Sequence, residues 1–161
     1  MHEGGRFVGE LRVSGAYRAN REPALTFHSP SQSWNDQLRH YEKLARSSFG
    51  WEHLDRYCRL VSDLAASPHA GHLYALRSHD FLVISPTKGW VKRGPTSSDR
   101  SRIIIRPCQD GRVSLTLAKK RPGQTLTAET VETTFDEART VLEPWIEWLR
   151  QEARELEEDN P

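Results

Sequence analysis

Cysteine is nearly absent: Cys58 and Cys108 are the only two, and they form no C-x-x-C pair. That removes a zinc ribbon and a thioredoxin-like redox site, and nothing requires a disulfide framework. No apolar run reaches the length of a membrane-spanning helix, and Met1–Val8 has no apolar core of signal-peptide size. The expectation is a soluble cytoplasmic protein with reduced thiols and no membrane partner. Also missing are the phosphate-cradling G-x-x-x-x-G-K-[ST] loop, G-x-G-x-x-G, the G-x-S-x-G nucleophile turn and the H-E-x-x-H zinc helix. Gly89, Gly94, Gly111 and Gly123 fall at turns instead. With no motif that names a chemistry, no cofactor is expected, and an enzyme would need a site assembled from residues distant in sequence.

What is present is enough for one core. A chain of 161 residues, 36% hydrophobic and 9% aromatic, can bury a single domain without metal or disulfide staples. The net charge of +1 says nothing about partners, but its distribution does. From Pro86 to Arg121 ten bases face only Asp99 and Asp110, a net of +8; from Pro122 to Pro161 eleven acids face Arg139, Arg150 and Arg154, a net of −8. A basic middle meets an acidic end.

The clearest local pattern is Ser101–Lys120. Val113, Leu115 and Leu117 alternate with Arg112, Ser114 and Thr116, and Asp110-Gly111 supplies a turn where glycine takes φ > 0 without steric cost. An antiparallel hairpin of Arg102–Arg106 with Arg112–Ala118 follows. Upstream, Trp34, Leu38, Tyr41, Leu44, Ala45 and Phe49 recur at helical spacing, predicting a helix over Ser33–Phe49 capped by Ser33. A second helix is predicted from Trp51 to Ala66, ended by Ser67-Pro68. Leu73–Leu76 and Phe81–Ile84 read as two short strands, Pro86–Ser101 as a loop, and the Thr-rich stretch 125–134 as an edge strand carrying Glu129 and Glu132. A capping-box pattern at Thr134–Glu137 opens a last helix with an apolar face from Phe135 to Leu149, with a kink or break expected at Pro144. Arg6–Val13 alternates like a strand, with Ala24–Phe27 a further short one; the other reading of residues 1–32 is a docking arm. The expected fold is α+β: an antiparallel meander of about five strands, an N-terminal helical hairpin and a C-terminal helix packed on one face. The domain spans 33–157 and an acidic frayed end 158–161.

Four constellations carry candidate function. Lys88, Trp90, Lys92, Arg93, Arg100, Arg102 and Arg106 form a basic, aromatic patch whose charges suit phosphates and whose tryptophan suits an unpaired base, against the reading of a solvated face neutralised by the acidic end. His69, His72 and His79 are candidate metal ligands, but H-x-x-H arises often by chance and lacks a second cluster, so no metal is expected. Cys108 lies near Arg106 and Arg112, which could lower a thiol's pKa, but no histidine is close in sequence and the favoured reading is a structural or incidental cysteine. Trp148 sits at the margin of the last helix's apolar stripe and is the candidate protein contact. Small size, separated charge and the missing catalytic motif favour a non-catalytic module that binds a partner protein, as an adaptor, inhibitor or immunity-type protein would. The alternatives are nucleic-acid binding through Lys88–Arg106 and an enzyme with a dispersed site.

Overall fold

The computed structural model describes residues 29–47, 53–78, 81–87, 101–120 and 123–159. The expected strands at Arg6–Val13 and Ala24–Phe27 lie outside the described residues, as do Trp51, His79 and most of the Pro86–Ser101 loop. Three α-helices and five strands remain: α1 (Pro30–Arg46), α2 (Leu54–Ala65), a short 3-10 helix (Pro68–Gly71), β1 (Tyr74–Ser78), β2 (Phe81–Ser85), β3 (Arg102–Pro107), β4 (Arg112–Lys119), β5 (Thr127–Thr134) and α3 (Phe135–Asp159). The sheet is an antiparallel meander in the order β1-β2-β3-β4-β5. The α+β class, the helix pair and the packed C-terminal helix agree with the sequence.

One face of the sheet makes the core. Ala75, Leu82, Ile84, Ile103, Ile105, Val113, Leu115 and Leu117 bury against Trp34 and Tyr41 of α1, Tyr57, Leu60, Val61 and Leu64 of α2, and Leu142, Trp145, Ile146 and Leu149 of α3. All three helices contribute to this single cluster. The opposite face carries the row Leu76, Val83, Ile104, Thr116, Thr130 across all five strands. Leu76 and Val83 are buried there too, each 2% exposed.

Three local expectations need correction. Ser29, not Ser33, caps α1: it is extended, its hydroxyl accepts from Gln32 N–H, and Pro30 takes the first helical position, where a missing N–H costs nothing. Ser33 lies one turn in, on the buried side, and serves the sheet instead. The second helix starts at Leu54, three residues after the expected Trp51. At Pro144 no second segment begins; α3 continues through it. Pro144 and Thr140 are both exposed, so the Thr140 carbonyl that loses its helical donor faces water. The Thr134 cap does form, with Glu137 N–H donating to the Thr134 hydroxyl, but the Glu137 carboxylate turns to the Thr133 hydroxyl rather than back to the cap.

The β3–β4 turn is a three-residue loop, Gln109-Asp110-Gly111, closed by Gly111 N–H to Cys108 C=O and by Cys108 N–H to Arg112 C=O. Gly111 holds φ 81°, and a Cβ there would stand 2.7 Å from the His53 ring. The turn thus requires glycine for its backbone, while the His53 ring at the N-cap of α2 would have to turn aside for a side chain there.

Helix side chains also complete the sheet's hydrogen bonds. Leu82 pairs with Ile105 across β2 and β3. The Tyr57 hydroxyl accepts from Leu82 N–H (3.0 Å) and donates to Ile105 C=O (2.9 Å), and the Tyr41 hydroxyl lies 3.5 Å away. Burial first, then Tyr41, pushes the Tyr57 phenol well above its ordinary value. The folded-state value exceeds the unfolded one, so this contribution is complete below about pH 10 and is lost as pH rises through the folded value. Tyr57→Phe should cost about 1–3 kcal/mol in urea denaturation, because it strips a partner from two buried backbone groups. The variant should also lose less stability than wild type in alkali. A cost below about 0.5 kcal/mol, the range of neutral surface changes, would make the hydroxyl dispensable.

Candidate functional site

The two edges of the sheet differ. At β1, α1 supplies partners to the outward backbone: Ala75 N–H donates to Ser33 Oγ (2.9 Å), Gln37 Nε2 donates to Ala75 C=O (3.3 Å), and Trp34 Nε1 donates to Leu73 C=O (2.9 Å). Ser33 and Gln37 are buried for this reason. A helix laid along the edge strand closes it against further pairing.

At β5 nothing comparable happens among the described residues. Antiparallel alternation fixes which groups face out. The turn bond from Cys108 to Arg112 sets Ser114, Thr116 and Ala118 as the β4 residues bonded to β3. Val113, Leu115, Leu117 and Lys119 therefore bond to their register partners Thr133, Val131, Glu129 and Thr127 in β5. Ala128, Thr130 and Glu132 point their backbone groups away from the sheet. Only the Glu132 carbonyl has a described partner, the Arg112 guanidinium at 3.1 Å. Seven of the eight residues' side chains pack little: Thr127 to Thr130, Glu132 and Thr134 are exposed, Val131 is half-buried, and Thr133 alone is buried. Glu129 stands on the helix side of the strand and Glu132 on the other.

Of the seven patch residues, the structure describes two; Lys88, Trp90, Lys92, Arg93 and Arg100 lie outside the described residues. Arg102 and Arg106 emerge on the face opposite the helices, opposite Ala118 and Ser114, so the polar faces of the hairpin coincide as expected. Arg102 is half-buried, and desolvation lowers its guanidinium from the ordinary value without discharging it at neutral pH. Arg106 is exposed and stacks its guanidinium 4.3 Å from the Phe81 ring centroid. The acidic α3 packs on the other side of the sheet through Leu142, Ile146 and Leu149, so it does not lie over these two arginines.

Trp148 is half-buried against the core, with the Lys119 ammonium 4.8 Å from its ring centroid. His69 is pinned to α3, its Nδ1 3.2 Å from Arg150 Nη1 and its Nε2 3.9 Å from Glu143 Oε1. His72 is exposed. Among the described residues no three His, Cys, Asp or Glu side chains gather to hold a metal ion.

Sequence reasoning missed an open cleft of about 360 Å³ between α2 and the start of α3, lined by Arg56, Arg59, Leu60, Asp63, Phe135, Asp136 and Arg139. Three guanidiniums and the carboxylates of Asp63 and Asp136 surround Leu60 and Phe135, making a mixed-charge polar surface with a slight excess of positive charge. Its lining holds no histidine, cysteine, serine or threonine. Its only sequence signal was the arginine spacing of Arg56 and Arg59 beside the apolar stripe, which does not reveal that α3 begins alongside.

Cys108 does not have the lowered thiol that its neighbouring arginines could give. Burial, then Glu132 and Asp110, raise the thiol, and the opposing pull of Arg112 and Arg106 is the smaller. Glu132 is brought near by the β4–β5 pairing, which the linear sequence conceals. Cys58 is also raised, chiefly by burial. Both thiols should alkylate with iodoacetamide more slowly than free cysteine at about pH 8; faster labelling of Cys108 would contradict this electrostatic picture. No known protein family, curated protein or solved structure matches the chain.

Proposed function

We propose that the protein is a non-catalytic interaction module that binds a partner protein by adding a strand to β5. The observation that carries this reading is the asymmetry of the sheet: α1 satisfies both outward groups of Ala75 on β1, while Ala128 and Thr130 on β5 keep theirs unpaired among the described residues. An edge strand of eight residues offers main-chain bonds for affinity and alternate side chains for specificity. Its exposed threonines and single half-buried valine keep it soluble when empty. The arginine cleft between α2 and α3 gives the same module a second contact surface.

Nucleic-acid binding is the second reading, favoured by the position of Arg102 and Arg106 away from the acidic helix. One experiment separates the two. Pull-down from native lysate, with nuclease treatment in parallel, should return one stoichiometric protein that survives nuclease. Ala128→Pro should abolish that capture while leaving the thermal melt nearly unchanged, because the residue's N–H points outward and no ladder bond is lost. Capture retained by Ala128→Pro at wild-type stoichiometry contradicts strand addition; capture lost to nuclease supports the second reading.

A further inference from the structure

The side chains along β5 restrict what strand can be added. The strand carries Glu129 on one face and Glu132 on the other, and no cation. Any strand that pairs here places residues opposite both carboxylates. Directly opposed or diagonal charges of like sign destabilise a pair, and opposite charges stabilise it.

This disfavours a second copy of the chain. In antiparallel pairing, outward residues face outward residues, so β5 can pair with itself only in registers such as Thr130 opposite Thr130 or Val131 opposite Val131. The first sets Glu129 diagonal to its own copy, and the second does the same to Glu132. Shifting further puts one of them directly opposite itself. Every two-fold β5–β5 seam around these positions therefore brings a carboxylate close to its own copy, and Lys119 and Arg112 of β4, diagonal to Glu129 and Glu132, offset only part of that charge. The same carboxylates repel a phosphate backbone.

Resting on the strand-addition reading, we infer that the partner segment is extended and cationic, with Lys or Arg at positions i and i+3. One cation faces Glu132, the other Glu129, and they project to opposite faces of the added strand. Between them an apolar residue faces the half-buried Val131, and a β-branched residue faces Thr130, whose hydroxyl already bonds that of Thr116 at 3.0 Å. Antiparallel addition thus reads as cation, apolar, β-branched, cation.

The test uses isotope-labelled protein and short capped peptides of about strand length with Lys-Val-Thr-Lys or Glu-Val-Thr-Glu at the centre. The lysine peptide should shift the amide resonances of Ala128, Thr130 and Glu132 at about tenfold lower concentration than the glutamate peptide. Raising salt should narrow that gap. In the Glu129→Lys/Glu132→Lys protein the preference should reverse; the wild-type comparison stands independently of whether that variant folds. Equal shifts by both peptides at the β5 amides would overturn the charge inference and leave strand addition intact. Shifts at neither edge residue with either peptide would overturn the inference together with its premise.

Discussion

The Tyr57 hydroxyl sits where α2, β2 and β3 meet, and the packing of the helices on the sheet depends on it. Its one proton goes to Ile105 C=O, and its oxygen accepts from Leu82 N–H with Tyr41 alongside. Apolar contacts alone would let α2 slide along the sheet, since burial is not directional. A phenol that fits only between two named backbone groups allows one position. Ser33, Trp34 and Gln37 do the same for α1 along β1. The helices therefore bury the apolar face and, in the same contacts, complete the sheet's hydrogen bonds at one edge and in its interior, where an unpaired group costs most.

That arrangement explains the unequal edges. Closing β1 takes α1's polar residues, and α3 departs directly from Thr134 to cross the core face. Among the described residues no helix lies along β5. The strand is protected by its own chemistry instead: exposed threonines, two carboxylates on opposite faces, and one arginine bonded to an outward carbonyl. These features are what the proposed cationic segment would meet at this edge.

Much of the fold was legible in the sequence because it rests on short-range periodicity. The alternation at Arg112–Leu117, the glycine turn, the Thr134 cap and the helical stripes each depend on residues a few positions apart. β5 could be read as an edge from its threonines and glutamates. What misled was long range. Ser33 has the chemistry of a cap, but its hydroxyl serves Ala75; Ser29 followed by Pro30 was the better local signal. Tyr57 was legible as part of an apolar stripe, while the destination of its hydroxyl depends on strand register. The arginines beside Cys108 in sequence could have lowered its thiol, yet burial first, and then Glu132 brought in by the pairing of β4 with β5, raise it instead. Counting charge by segment also failed to map onto surfaces, because strands split their residues between two faces and α3 carries its acids to the side away from Arg102 and Arg106.

The central claim is that, among the described residues, one edge of the sheet is closed by a helix and the other left open. Amide hydrogen exchange followed by NMR measures this residue by residue. The Ala75 amide, bonded to the Ser33 hydroxyl, should be strongly protected, whereas Ala128 and Thr130 should exchange as fast as exposed loop amides even though Glu129 between them and Val131 beside them are slow. Protection of Ala128 and Thr130 comparable to that of Ala75 would contradict the account.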